Sequence, residues 1–257
     1  MQNLRVTLIQ AHIIWEKIDE NLDHFSQKIK KVLGQTDIII LPEMFSTGFS
    51  MNPKRVAEPM DGKTINWLKF QAKNAEAIVT GSFISIENGK YFNRLIWMQP
   101  DGNYFFYDKK HLFTLAKEDE YYTAGKSRII VEWKGWKICP LICYDLRFPA
   151  WSRNSKGYDL LIYIASWPTP RIDAWQTLLA ARSIENQVYT IGVNRVGEDE
   201  NNCQYSGASS VYDYSGKPRY RVFDQEDVFT AELNYEEQKG FRKKLDFLSD
   251  QDRYSFE

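Results

Sequence analysis

Residues 37–43 read DIIILPE: four consecutive apolar side chains, Ile38 to Leu41, stopped by Pro42 and followed at once by Glu43. A strand with one wet face alternates apolar and polar residues. An unbroken run of this length is expected where both faces are covered, as in the parallel part of an α/β fold. KICPLIC (137–143) reads as another buried strand, and YDLLIYIAS (158–166) and VYTIGVN (188–194) continue the series. Helical patterns fall between the strands. In NLDHFSQKIKKVL (21–33), Leu22, Phe25, Ile29 and Leu33 recur at spacings of three and four, with Gly34 placed to end the helix. NWLKFQAKNAEA (66–77) and AWQTLLAARSIENQ (174–187) are two more helices, and a short one runs through FPAWSRNS.

The alternation is not pure. LRVTLIQ (4–10) has the period-two pattern of a half-buried strand, and IVTGSFISI (78–86) is a strand. LIWMQ (95–99) and YFFYD (104–108) flank PDGN as a hairpin, and a second hairpin turns at DYSGKP (213–218). Helices between strands, interrupted by hairpins, predict an α/β sandwich containing two sheets rather than one doubly wound sheet. With no Pro/Gly/Ser-rich linker, low-complexity tract or repeat, residues 1–257 are expected to form one domain with a polar, charged C-terminal arm.

Lys and Arg number 33 against 34 Asp and Glu, a net charge of -1, so no nucleic-acid partner is expected. The start, MQNLRVTLIQAH, lacks the basic head and apolar segment of a signal peptide. No stretch approaches the roughly 20 apolar residues of a membrane helix. The expectation is a cytoplasmic protein with no membrane partner. Three cysteines, Cys139, Cys143 and Cys203, give no disulfide framework.

Three polar groups stand just past apolar strands: Glu43, Lys109 after YFFYD, and Cys143 after CPLI. Ligands of α/β folds gather beyond the carboxyl ends of strands, so the three can converge. Each has an ordinary alternative: a cap or ion-pair carboxylate, a solvated surface lysine, a buried apolar thiol. Cys139 and Cys143 lie about 13 Å apart if four strand residues separate them, too far for one metal ion. Neither these cysteines nor His12, His24 and His111 have ligand spacing, so no metal is expected. Strand alternation sends Lys109 and Lys110 to opposite faces. A Cys–His pair is the commonest way to activate a thiol. His111, within apolar HLF, leaves that reading open beside a packed, hydrogen-bonded role.

LPEMFSTGF (41–49), YDKKHLF (107–113) and CYDLRFP (143–149) together resemble the three signature blocks of the nitrilase (carbon–nitrogen hydrolase) superfamily, in matching order and separation, with the similarity running from VTLIQ to SGKP. The resemblance implies a four-layer α-β-β-α sandwich and a Glu43–Lys109–Cys143 triad, Lys109 rather than Lys110 taking the lysine of the K-x-H-L pattern. A further family glutamate, seven residues before a glycine, falls on Glu118 before Gly125. It also implies that Cys143 sits in a strained turn after its strand with the Tyr144 amide facing the reacting carbonyl, and that no cofactor is needed. Arg147 is read as a structural salt-bridge partner.

SWPTPRIDAW (166–175), AARSIENQVY (180–189) and GVNRVG (192–197) resemble the bacterial omega-amidase branch, the 2-oxoglutaramate amidases. These release ammonia from the distal amide of small 2-oxo acids (2-oxoglutaramate, 2-oxosuccinamate) and are associated with methionine salvage and metabolite repair. A substrate carboxylate needs a cation, and Arg171 is the candidate, its alternative being a surface arginine after a Pro-rich turn. Trp167 and Phe113 are candidate pocket walls, with core packing as their alternative. A nitrilase or N-carbamoyl amidase would keep the triad and change the pocket, whereas a non-catalytic binding module would need none of it. The family's habit of pairing subunits implies a homodimer or higher homo-oligomer.

Overall fold

The computed structural model describes residues 2–252. The chain begins with β1 (Leu4–Gln10), α1 (Ile18–Ile29), β2 (Ile38–Ile40), α2 (Pro53–Val56), α3 (Lys63–Ala75), β3 (Ile78–Glu87), β4 (Lys90–Met98), β5 (Tyr104–Asp108) and α4 (Glu118–Tyr121). It continues with β6 (Val131–Trp133), β7 (Trp136–Ile142), α5 (Pro149–Ser152), β8 (Leu160–Ala165), α6 (Ile172–Asn186) and β9 (Tyr189–Asn194). The last elements are β10 (Val196–Glu198), β11 (Gln204–Tyr212), β12 (Pro218–Phe223), β13 (Asp227–Leu233) and α7 (Tyr235–Lys244).

Two sheets result. One runs β13-β1-β2-β3-β4-β5; the other runs β10-β11-β9-β8-β7-β6, with β12 paired to β11. The middle of each is parallel, through β1, β2 and β3 in the first and β7, β8 and β9 in the second, and antiparallel strands complete the edges. This is the reason the run of residues 38–41 has no polar partner face. Ile38 and Ile40 enter the core shared with the second sheet, while Ile39 enters the cluster formed with Leu22, Phe25 and Ile29 of α1 and Ile65 and Leu68 of α3. The same alternation divides Ile78 from Val79 and Trp97 from Ile96. Burying each such side chain contributes about 1.5–3 kcal/mol relative to exposure. On the far side, α6 packs Trp175 and Leu179 so closely on β9 that a Cβ at Gly192 would meet the Leu179 Cδ1 at 2.4 Å. The order of layers is therefore helix, sheet, sheet, helix.

Several boundaries differ from the sequence expectation. The strand expected over 37–43 is confined to Ile38–Ile40, because Pro42 cannot donate to a ladder and the chain turns toward Glu43. Helix α1 starts three residues before the expected 21, with Asp19 and Glu20 in its first turn, and ends at Ile29. The β3–β4 hairpin was not read, although ENGK carries its signature: Asn88 and Gly89 both have positive φ, 50° and 72°, as a two-residue type I′ turn requires. Nor was β13, which leaves the tail to pair antiparallel along the whole of β1. The charged arm contains α7, capped by the Asn234 side chain accepting from the Glu237 amide. Among the described residues, no helix is long and apolar enough to cross a membrane.

Candidate active site

The carboxyl ends of β2, β7 and β8 and the end of β5 meet over one cavity of about 520 Å³, a size usual for small-molecule sites. Lys109 and Cys143 line it; Glu43 and Glu118 are fully buried next to Lys109. Lys109 Nζ donates to Glu43 Oε1 at 2.9 Å and to Glu118 Oε2 and Oε1 at 2.8 and 3.0 Å. One ammonium is thus held between two carboxylates in a dry interior. Burial alone would disfavour the Lys109 charge, but Glu118 and Glu43 outweigh it and keep the group protonated well above its ordinary range. Glu118 is itself raised, first by burial and then by Glu43, against the pull of Lys109.

Each member is fixed by its local chain. Glu43 receives the Ser166 amide on Oε2 at 2.8 Å and Asn93 Nδ2 on Oε1 at 2.8 Å. Glu118 Oε2 accepts the Phe113 amide at 2.6 Å. The Gly125 amide donates to the Lys109 carbonyl at 2.8 Å, and a Cβ at Gly125 would lie 1.9 Å from the Asp108 carbonyl oxygen. Only glycine lets the chain cross this close behind Lys109, which gives a physical reason for the spacing from Glu118 to Gly125.

Cys143 directly follows β7 with φ +43°, in the left-handed region that a residue with a side chain rarely adopts. A 3₁₀ turn over Cys143–Arg147 follows directly. The turn is held by Asp145, whose Oδ2 accepts the Ile142 amide at 3.1 Å and the Tyr107 hydroxyl at 2.8 Å, and whose Oδ1 accepts the His111 amide at 3.1 Å. Amides in the first turn of such a helix have no internal acceptor, and Tyr144 occupies that place on the cavity wall. Burial, and next the charge of Glu43, push the Cys143 thiol well above its ordinary value, with Lys109 opposing them. Burial and Glu43 thus favour the protonated form of the sulfur.

The structure brings Glu43, Lys109, Glu118 and Cys143 together, and Tyr144, Phe113, Trp167 and Arg171 line the same cavity. Lys110 points elsewhere, its ammonium 5.7 Å from the Trp151 ring centre. Of the two roles left open for His111, the structure shows the packed, hydrogen-bonded one: its ring stacks on Phe148 at 3.7 Å and its Nδ1 lies 2.8 Å from Asp145 Oδ1, so it braces the turn. One expectation is corrected. Arg147 is no structural salt bridge. It has no carboxylate within ion-pair distance among the described residues and lines the cavity, its guanidinium 4.9 Å from the Trp167 ring centre.

Sequence reasoning missed Asn93 and Ser166 as partners of Glu43, and Trp15, Phe49, Asp199 and Tyr205 as cavity walls. Asn93 had a faint signal: Asn93–Arg94 is a polar pair inside a strand whose remaining half is apolar. The walls had none, because the loops of Trp15, Phe49 and Asp199 and the start of β11 at Tyr205 are brought over the site only by the tertiary fold. Among the described residues, no cluster of three or more His, Cys, Asp or Glu has the arrangement to hold a metal.

A thiol, two buried carboxyl groups and a buried ammonium gather at the strand ends of a two-sheet α/β sandwich, and the similarities of the chain are those of a hydrolase of carbon–nitrogen bonds other than peptide bonds. The chain belongs to the carbon-nitrogen hydrolase family, whose model matches residues 5–243. It is 43% identical over 255 residues to omega-amidase YafV of Yersinia enterocolitica, covering 99% of both chains. It is 32% identical to the 2-oxoglutaramate amidase of Bacillus subtilis, over 95% of this chain and 96% of that one. Its fold superimposes with a TM-score of 0.98 and 40% identity, over the full length of both, on a CN-hydrolase superfamily protein of Xanthomonas campestris with an arsenic adduct in the active site.

Proposed function

We propose that this chain is an omega-amidase: a hydrolase of linear amides that frees ammonia from the distal amide of small 2-oxo acids. The observation that carries the reading of the chemistry is geometric: a cysteine on a left-handed turn at the wall of a cavity that Lys109 also lines, with Lys109 locked between Glu43 and Glu118. Similarity to omega-amidases over essentially the whole chain supports the substrate class.

In this reading the Cys143 thiol gives its proton to Glu43 as sulfur bonds to the amide carbon. The carbonyl π electrons move to oxygen, and the oxyanion is met by the Lys109 ammonium and the Tyr144 amide. Glu43 then passes the proton to the amide nitrogen as the carbon–nitrogen bond breaks. Ammonia leaves and a thioester remains. Water attacks the thioester with Glu43 as base; the collapsing intermediate expels the sulfur, which recovers the proton, and the acid departs. Glu118 is a positioning residue that holds Lys109. Arg171, at the start of α6 with its guanidinium 5.1 Å from the Phe113 ring centre, receives the substrate carboxylate. The arsenic adduct in the active site of the Xanthomonas campestris protein supports the view that this kind of site takes up an electrophile.

The similarity to this family leads us to expect a cytoplasmic homo-oligomer as well, and sedimentation of the full chain measures the oligomeric state. The activity is tested by ammonia release from 2-oxo omega-amides, nitriles and N-carbamoyl acids, one panel under one set of conditions. Fastest turnover of the 2-oxo omega-amide is expected. Preference for a nitrile or an N-carbamoyl acid would overturn the substrate class.

A further inference from the structure

Two arginines line the cavity without an ion pair among the described residues, although Glu16 and Asp199 also belong to its wall. Arg147 and Arg171 are both half-buried and line the site. Among the described residues neither side chain makes an ion pair or a hydrogen bond, whereas the buried Arg94 forms a two-pronged pair with Asp108 and Arg182 donates to the Leu146 carbonyl. Each is instead laid against an aromatic wall: Arg171 on Phe113 at 5.1 Å and Arg147 on Trp167 at 4.9 Å. A guanidinium resting on a ring keeps its in-plane N–H groups free for an acceptor.

The supports of the two groups differ. Arg147 ends the 3₁₀ turn that begins at Cys143, and Asp145 ties that turn to β7, Tyr107 and His111. Its distance from the nucleophile is therefore set by a rigid element. Arg171 is tied through its backbone to Trp167, the ring on which Arg147 lies, its carbonyl accepting Trp167 Nε1 at 2.7 Å, while the Trp167 amide donates to Asn194 Oδ1 at 2.7 Å. One guanidinium satisfies one carboxylate through two parallel hydrogen bonds. A second, unpaired and held at fixed distance from the sulfur, calls for another acceptor on the same ligand.

We propose that Arg147 is a specificity-determining residue that works beside Arg171 as a two-guanidinium clamp: Arg171 takes the substrate carboxylate, and Arg147 takes the adjoining 2-oxo oxygen together with the near carboxylate oxygen. This rests on the omega-amidase reading and deepens it. The clamp selects 2-oxo acid amides over amides of plain acids, because a ligand without the oxo group leaves the desolvated donors of Arg147 unmatched. It also fixes substrate length, since the amide must reach Cys143 while the oxo-acid end is held.

The experiment measures kcat/KM of the full chain and of R147Q, R147K and R171Q for 2-oxoglutaramate, glutaramate and pentanamide. Arg147→Gln is expected to lose about 10–100-fold on 2-oxoglutaramate, the range of a hydrogen bond to a charged group, and far less on glutaramate, so that the preference for the oxo acid collapses. Arg147→Lys should recover only part of it. Arg171→Gln should lose on both acids and much less on pentanamide. A second readout does not need turnover: protection of Cys143 from iodoacetamide by 2-oxoglutarate or glutarate. Arg147→Gln should weaken protection by 2-oxoglutarate selectively. Equal losses on all three amides, or an unchanged oxo preference, would overturn the clamp. A parent enzyme that releases no ammonia from 2-oxoglutaramate would overturn the activity reading instead, and the protection assay would still decide the role of Arg147.

Discussion

Asn93 Nδ2 lies 2.8 Å from Glu43 Oε1, the same oxygen that Lys109 Nζ reaches at 2.9 Å. The carboxylate is thereby held by a strand side chain that carries no charge and leaves its overall balance with Lys109 unchanged. Asn93 sits in β4, whose carbonyl at the same residue accepts the Lys109 amide at 3.0 Å, so one residue aligns both Glu43 and Lys109. Asn93→Leu should lower kcat by about 10–100-fold with little change in KM, as expected for loss of aim rather than of binding. Steady-state kinetics checks this, and an effect confined to KM would contradict it.

The raised thiol gives a pH prediction. Burial, and next the Glu43 charge, raise the Cys143 value, so the thiolate is expected to emerge only on the alkaline side. Glu43→Gln removes the base and also one source of the upward shift, leaving Lys109 to pull the other way. Turnover should fall by at least about a thousandfold while the thiolate appears at lower pH than in the parent. The ultraviolet difference spectrum against Cys143→Ser, followed across pH, reads this. A thiolate already formed in the parent at pH 7 would show a resting ion pair instead.

Lys109→Ala should cost about 2.7–4 kcal/mol in transition-state stabilisation if Lys109 meets the oxyanion. It should also lower the melting temperature, because two buried carboxylates lose their shared cation. Lys110→Ala should change neither, since Lys110 lies over Trp151. A reversed pattern would move the catalytic lysine by one residue.

Away from the site, Glu226 ties β13 to α1. Burial would raise its value, but Lys28 Nζ at 2.7 Å, the His12 amide at 2.9 Å and His24 Nε2 at 2.7 Å outweigh it and hold the carboxyl at about 2. A carboxyl depressed from 4.5 stabilises the fold above its unfolded value and loses that contribution as pH falls from about 4.5 toward 2. Glu226→Gln should therefore be less stable than the parent at pH 7, and the gap should close near pH 2. Urea midpoints at both pH values test it, the exposure of the pair keeping the effect modest. A gap that widens in acid would contradict it.

How much of this was visible beforehand follows from where the information lies. The run of residues 38–41 carried the covered strand, and the three blocks around Glu43, Lys109 and Cys143 carried the reactive groups, because in each a strand's period and its terminal polar residue sit within seven to nine consecutive positions. Arg147 was misread because a guanidinium beside Asp145 looks like half of an ion pair, whereas Asp145 spends its oxygens on Ile142, Tyr107 and His111. Asn93 and β13 were hidden for another reason. Their partners, Glu43 and β1, lie 50 and more than 200 residues away, and no local pattern records such pairings.

The central claim, that Cys143 attacks the amide and carries the acyl group, is met most directly by acid-quenched mass spectrometry during turnover of 2-oxoglutaramate. The parent should show an acyl adduct on the peptide containing Cys143, formed with the release of one ammonia. Cys139→Ala and Cys203→Ala should behave as the parent. Cys143→Ala should remain folded, carry no adduct and release no ammonia above background. Ammonia release by Cys143→Ala at a substantial fraction of the parent rate, or an adduct placed on another residue, would contradict the account.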